Sequence, residues 1–336
     1  MAGGRPSEAH SGWDEESVAR KGSFRLRKWY FDFLTPGLDY CFIYFADVRV
    51  LGATFRSLTV HLAPRGKGGP VTMTLPVEHA SEEAYGERGF AFSFDGGQIN
   101  IDGGPSAIDA YSPGCSVHLH YAPLNGFRPQ PVVIRNGGRS RILWRPVHLR
   151  SRVSGSVVLR NEVIDVEGCN GYVDYLESSY LPAVVPVRML YWGRLHHPDL
   201  DLVFMRAASG SGKTAWSRMS FHAGDVFTDC GEVAIGNSQS PHGSTEETIF
   251  PAGYQADAAC GSRRVHLNVR HASTVQEGSF IDHQQVKSAV GRRILKKLTR
   301  DPRSTKWLSY ADVVLDDGGT TKRIDDVPLI DEFALL

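Results

Sequence analysis

Short runs of alternating apolar and polar residues, broken by Pro and Gly, fill most of this chain. LDYCFIYFADVRV, RSLTVHLAP, VTMTLPV, RGFAFSFDGGQINIDG and CSVHLHYAP follow one another in the first half, and RSRVSGSVVLR and NEVIDVEG continue the pattern. LDLVFMRA, TAWSRMSFHAG, GEVAIGN and RRVHLNVRHA repeat it in the second half, and ADVVLDDG and DEFALL close the chain. Period-two hydrophobicity with regular turn signals predicts antiparallel strands of a sandwich or barrel. Helical periodicity enters only between Ile281 and Arg300. There Val286, Val290, Ile294, Leu295 and Leu298 recur every three or four residues, predicting one amphipathic helix.

A weak internal repeat overlies the pattern. Trp29 precedes a Thr35-Pro36-Gly37 turn and the apolar run Tyr40–Phe45. Trp192 precedes a His197-Pro198-Asp199 turn and the run Leu200–Met205, and the two tryptophans lie 163 positions apart. Each copy reads as an opening hairpin. Two prolines interrupt strand pattern in Ser178–Pro186, where we place a boundary. The expected organisation is a disordered tail over residues 1–22, a β-domain over 23–180 and a second over 181–336. At 336 residues the chain is long enough for two ordinary cores.

Composition narrows the function classes. Hydrophobic content of 41% and charged content of 22% are those of a globular protein. Lys+Arg and Asp+Glu both number 37, so no nucleic-acid footprint is expected. The first residues lack the apolar core of a secretory signal. Five widely spaced cysteines without C-x-x-C argue against a disulfide framework or a zinc site and predict a reducing, cytoplasmic setting.

Several motifs invite chemistry and decline it. Ser209–Thr214 (SGSGKT) lacks the first glycine of a phosphate loop, because position 207 is Ala, and it leads into β-like sequence, so it reads as a hairpin loop. His118 and His120 share one strand face, but no third ligand follows, so they read as a solvent-facing or rim pair with no metal. His196-His197 reads as polar turn sequence. The basic stripe on the 281–300 helix (Lys287, Arg292, Arg293, Lys296, Lys297, Arg300) reads as a solvated face, though such a helix can also rest on a membrane surface. Neither a nucleophile elbow nor a dinucleotide fingerprint occurs, which favours chemistry without a cofactor, or plain binding.

The stretch Arg141–Arg194 carries the most specific signal. It contains Trp144-x-Pro146, then Gly171-Tyr172-Val173-Asp174, then Trp192 and Arg194. Together with Lys28-Trp29-Tyr30-Phe31-Asp32-Phe33, this ordering resembles the superfamily of carotenoid 1,2-hydratases (hydroxyneurosporene synthases), whose relatives include tocopherol cyclases and lipocalin-like Diels–Alderases. The resemblance implies two tandem lipocalin-like β-barrel or β-sandwich domains with a ligand cavity in or between them. It implies Asp174 and Tyr172 as catalytic residues, with Trp144, Trp192, Arg194, Trp29 and Tyr30 binding a hydrophobic small-molecule substrate.

The chain departs from the family pattern twice. The histidine of the family's His-x-Trp-x-Pro is Ile142 here, and the His/Asn after the aspartate is Tyr175. Hydrating an alkene needs a proton donor and a held water, and Ile142 serves neither. A cyclisation needs mainly a folded substrate conformer and one or two hydrogen-bond donors. The expected activity is therefore cofactor-independent cyclisation of an apolar polyene or polyketide-type chain. The alternatives are an isoprenoid hydratase with Asp174 as acid, and a non-catalytic lipophilic carrier.

Overall fold

The computed structural model describes residues 24–336 apart from 51, 66–68, 85–89, 102–103, 127–128, 136–139, 161, 181–184, 238–240, 246–247, 252, 280–292, 294–295 and 297–301. The expected N-terminal tail lies outside the described residues. So does the expected helix, except Arg293 and Lys296, and the described chain gives a C-terminal helix no support.

Two antiparallel sheets account for nearly all the described chain. The first is built from β1 (Phe24–Leu34), β2 (Tyr40–Val50), β3 (Ala53–Ala63), β4 (Val71–Pro76), β5 (Ala80–Ala84), β6 (Phe90–Phe94) and β7 (Gly97–Ile101). It continues through β8 (Ser106–Ser112), β9 (Cys115–Pro123), β10 (Val132–Arg135), β11 (Arg141–Leu159), β12 (Glu162–Asp165) and β13 (Cys169–Ser178). Its strands run in the order β4-β3-β2-β1-β13-β11-β9-β8-β7-β6-β5, with β10 and β12 flanking β11. The second sheet begins with β14 (Met189–His197), β15 (Leu200–Ala208), β16 (Thr214–Ala223), β17 (Val226–Cys230) and β18 (Val233–Asn237). After a separate hairpin, β19 (Pro241–Thr245) and β20 (Thr248–Pro251), come β21 (Gly253–Cys260), β22 (Arg263–Ser279), β23 (Arg303–Asp317) and β24 (Thr321–Leu335). Its order is β17-β16-β15-β14-β24-β23-β22-β21-β18. Neither strand order returns to its starting edge, so no closed barrel forms among the described residues.

The internal repeat survives as topology and fails as an alignment of tryptophans. In each sheet the opening strand lies between the second strand and the last one: β2-β1-β13 and β15-β14-β24. Trp29, however, points into the first sheet's own core, while Trp192 points to the layer between the sheets. A one-residue offset in a strand exchanges its faces. The residue that shares Trp192's environment is Tyr30, which lies edge-on to it at 5.8 Å.

Three hydrophobic layers result. Trp29, Phe31, Phe33, Phe45 and Phe92 belong to the core of the first sheet. Leu195, Leu202, Phe204 and Leu267 belong to that of the second. Between them lies an aromatic layer drawn from both sheets, with Tyr30, Tyr40, Phe42, Trp144 and Tyr172 on one side and Trp192, Met205, Leu308 and Ile330 on the other. The β1 segment Lys28–Phe33 explains this directly. Its odd positions are Trp and Phe for one dry core, and its even positions are Lys, Tyr and Asp for the other face.

The cysteine expectation is corrected. Cys230, ending β17, and Cys260, ending β21, are joined in a disulfide with Cα atoms 5.2 Å apart, while Cys41, Cys115 and Cys169 are buried and free. Sequence spacing was blind to the pair because sheet topology, not chain proximity, brings those two strand ends together. Disulfides persist in oxidising compartments, so the cysteines no longer favour a cytoplasmic setting. Among the described residues no helix is long and apolar enough to cross a membrane, which says nothing of strands.

Other motifs fall into place. Ser209–Lys213 is a tight β15–β16 connection closed by Ser209 N–H on the Lys213 carbonyl at 2.9 Å, and a strand follows it. His118 and His120 are exposed on β9, with His118 beside Asp109 at 3.2 Å. His196 differs from expectation. It lies one residue before the end of β14 as a buried side chain facing Asp201 at 3.3 Å, and burial holds its pKa below the usual value.

Candidate active site

Most of the sequence-marked residues converge in the layer between the sheets. Neighbouring β13 and β11 pair Asp174 with Pro146 and Leu176 with Trp144. In that register Trp144 is a diagonal neighbour of Asp174 on the same face, and the register shifts only after Pro146, which lacks a ladder N–H. The Trp144 indole N–H donates to Asp174 Oδ2 at 3.1 Å, and the Tyr172 hydroxyl donates to the same oxygen at 3.0 Å. The Tyr172 ring lies 5.5 Å from Trp192 and 6.4 Å from Tyr30.

Gly171, on the opposite face of β13, lets that strand lie close against the first sheet's core. A Cβ there would come within 2.5 Å of Val153, 2.6 Å of the Tyr121 ring and 2.7 Å of the Asp32 carbonyl oxygen.

A second carboxylate sits one strand away. β1 pairs Asp32 with Tyr172, and Asp32 receives Arg194 of the opposite sheet in a two-pronged bond, at 2.6 Å on Oδ1 and 3.1 Å on Oδ2. Tyr30 and Tyr40 each donate to Asp32 Oδ2 at 3.1 Å, and their hydroxyls also meet one another. Arg194 and Asp32 are almost wholly excluded from solvent, at 2% and 0% exposure. Bidentate geometry with two added donors is what a buried pair needs to offset its desolvation.

Lys306 from β23 completes the cluster. Its ammonium donates to the Tyr30 hydroxyl at 2.9 Å, pairs with Glu332 at 3.3 Å, and stands 4.4 Å from the Tyr30 ring centre and 5.2 Å from that of Trp192. Lys28 lies over Tyr44 at 4.7 Å, and burial lowers its pKa.

These neighbours set the ionisation of Asp174. Burial raises its pKa to about 6, opposed by the Trp144 N–H, the Lys28 charge and the Tyr172 hydroxyl. Burial, reinforced by Asp174, holds the Tyr172 phenol well above its usual value. The arrangement is a carboxyl that can change protonation near neutral pH, framed by fixed donors and aromatic rings.

Trp29 and Tyr30 cannot line one hollow, because adjacent strand residues face opposite ways. Trp29 instead packs among Phe45, Phe92 and Tyr175 in the first core, its ring tilted against each. Tyr175 therefore also points away from Asp174, and its hydroxyl bonds Glu177 at 2.8 Å. Ile142 precedes Trp144 by two positions and packs beside Tyr180 and Val185.

Asp32, Tyr40, Lys28, Lys306 and Glu332 were not among the candidate site residues, although Lys28 and Asp32 lie in the Lys28–Phe33 segment. For Asp32 a signal existed, since a charged residue inside the apolar run Tyr30–Leu34 demands a buried partner. Nothing local pointed to Lys306.

A cleft of about 140 Å3 opens elsewhere, where the β14–β15 turn meets the first sheet, lined by residues including Asn125, Arg150, Asp201 and His222. Its polar, ion-paired wall (Arg150 to Asp201 at 3.5 Å) lacks the aromatic character of the layer around Asp174, so we do not assign the site there. Among the described residues no group of three or more His, Cys, Asp or Glu is arranged to hold a metal.

The fold is shared with several solved structures, each at an identity that shows the fold alone. The solved structure of CghA overlays with a TM-score of 0.67 at 10% identity, covering 93% of this chain and 88% of that one. A putative AttH from Nitrosomonas europaea (NE1406) gives 0.56 at 12%, covering 100% and 97%, and kievitone hydratase from Nectria haematococca gives 0.50 at 8%, covering 94% and 89%. No family model matches the chain, nor does any curated protein sequence.

Proposed function

We propose that this chain is a cofactor-independent cyclase that folds an apolar polyene or polyketide-type substrate in the aromatic layer between its two sheets. The observation that carries this reading is the joint hold of Trp144 and Tyr172 on one oxygen of Asp174, inside rings contributed by both halves of the chain. A cycloaddition makes two carbon–carbon bonds from existing π electrons and needs no proton transfer, so the protein's task is shape and polarisation. Tyr30, Tyr172 and Trp192 supply walls, and the Lys306 ammonium supplies a charge that can draw electrons from a substrate carbonyl.

One observation favours a second reading, hydration of an isoprenoid double bond. Asp174 is raised to about 6 by burial, so a fraction is protonated near neutral pH, as a general acid requires. One structural neighbour is a kievitone hydratase. Against this reading, Ile142 offers no base to hold water.

Native mass spectrometry of the protein from its host identifies a retained ligand, and turnover of that compound in isotope-labelled water separates the readings. A cyclase yields an unlabelled isomer of unchanged mass, and Asp174→Asn slows it partly. A hydratase yields a product one water heavier that carries solvent oxygen, and Asp174→Asn abolishes it. A ligand returned unchanged would overturn both in favour of a carrier.

A further inference from the structure

The cleft beside the β14–β15 turn takes no part in the proposed reaction, yet its polar floor is built from both halves of the chain. Its volume is about 140 Å3, against the ~10–15 Å3 that one water requires. On the first-sheet side, β11 slips its register against β13 between His148 and Ser151, which frees Arg150 from the ladder. The Arg150 carbonyl accepts from the Leu124 N–H at 3.1 Å, and so holds the segment after β9 beside it, with Asn125 at the cleft. On the second-sheet side stands Asp201 of β15, its carboxylate 7% exposed. Leu124, Pro198 and Gly224 are exposed and mark the open side.

The hydrogen-bonding capacity of this floor is only partly used. Three nitrogens reach Asp201: Asn125 Nδ2 at 3.4 Å on Oδ2, and Arg150 Nη1 at 3.5 Å and His196 Nδ1 at 3.3 Å on Oδ1. All three stand beyond the usual range of about 2.7–3.2 Å, so both oxygens keep room for a closer donor. Arg150 directs Nε to Asn170 Oδ1 at 2.8 Å and Nη1 also to the His197 carbonyl at 3.4 Å. Its Nη2 makes no hydrogen bond among the described residues and is not closed off, and the same holds for Asn125 Oδ1. Charge is balanced: Asp201 faces Arg150, and Asp199 at the rim lies 2.9 Å from Lys322.

We propose that this cleft binds a compact, uncharged, polyhydroxylated molecule, a single sugar-like ring, whose neighbouring hydroxyls donate to Asp201 and accept from Arg150 Nη2 while its C–H face rests on Leu124 and Pro198. A hydroxyl both donates and accepts, and the cleft sets acceptors and a donor side by side. An anionic ligand would meet Asp201, and a cationic one Arg150, with no free countercharge among the described lining residues. A concavity between two halves of a chain, with apolar walls and a few placed polar groups, is the usual make-up of a small-molecule site. The cleft is separate from the inter-sheet site, because Asp174 lies four positions beyond Asn170 on β13, about 13 Å along the strand.

The test is saturation-transfer NMR on the full chain with the methyl glycosides of glucose, galactose and mannose and with myo-inositol. Tetrahydropyran, glucuronate and glucosamine serve as the bare ring, the anion and the cation. At least one neutral polyol is expected to bind in the millimolar range, about tenfold or more tighter than tetrahydropyran, the worth of one hydrogen bond to a charged group. Asn125→Leu and Arg150→Lys, which keeps the charge and loses the forked donor, should each weaken it about tenfold. Leu124→Trp, at an exposed position, should block the cleft, and Asp174→Asn should change nothing. If Arg150→Lys does not fold, the two loop variants decide. The proposal is overturned if no polyol gives transfer, if tetrahydropyran binds equally well, or if glucuronate or glucosamine binds tighter than every neutral polyol. It is also overturned if binding persists unweakened in Asn125→Leu and Leu124→Trp, or if Asp174→Asn is the change that abolishes it. None of these results decides the cyclase reading, which the labelled-water assay tests, so the two ideas fail separately.

Discussion

Asp32 and Asp331 are both fully enclosed, one in the layer between the sheets and the other inside the second sheet. Asp32 is met by a guanidinium in bidentate contact and by two phenol hydroxyls. Asp331 is met by a serine hydroxyl and an imidazole, with the nearest ammonium on the wrong side of the strand. Asp174 lies between these extremes, with two neutral donors and two lysines near enough to act on it. Equal burial is thus compensated differently, because desolvation is common to all three and the neighbouring charges are not. The layer between the sheets is a place where charge is held, and the second interior is one where it is suppressed.

The largest effect should come from removing the charge that Asp32 depends on. Arg194→Met leaves a buried carboxylate without its partner and should cost about 3–5 kcal/mol in a denaturant titration. Adding Asp32→Asn should restore part of that loss, and a double variant no more stable than Arg194→Met alone would mean that the pair is not coupled.

The pH response should then distinguish the two interiors. A carboxyl whose folded pKa is raised contributes most stability below its ordinary pKa and loses that contribution as pH climbs to the folded value. The stability of the wild-type chain relative to Asp174→Asn should decline from about pH 4 and level off above about 6. Relative to Asp331→Asn it should keep declining until about 8, each change being on the order of a few kcal/mol. Thermal melts across that range measure both, and coincident plateaus would contradict the contrast.

Gly171→Ala tests the packing beneath the Tyr172–Asp174 pair. The new methyl meets backbone at Asp32 as well as two side chains, and the expected cost is about 1–3 kcal/mol. A smaller effect is expected at Trp144. Trp144→Phe keeps the ring and deletes the N–H to Asp174, so stability should fall by roughly 1 kcal/mol and the Asp174 midpoint, followed by carboxyl-resolved NMR, should rise. An unmoved midpoint would show that the indole does not tune the acid.

Much of this molecule is written locally. Period-two alternation in Lys28–Phe33 already assigns Trp29, Phe31 and Phe33 to one face and Tyr30 and Asp32 to the other, since side chains alternate along a regular strand. Trp144, Tyr172 and Asp174 were marked by their order along the chain, and pairing of neighbouring β11 and β13 brings them together with little need of distant contacts. What alternation leaves open is which face meets which. That Tyr30 looks across at Trp192, that Asp32 answers Arg194 from 162 positions away, and that Lys306 joins Tyr30 from 276 positions away depend on how the two sheets are laid against each other. The Cys230–Cys260 link and the enclosure of Asp331 have the same origin. Periodicity reports the environment that a side chain requires, whereas its partner is chosen by three-dimensional packing, in which separation along the chain carries no weight.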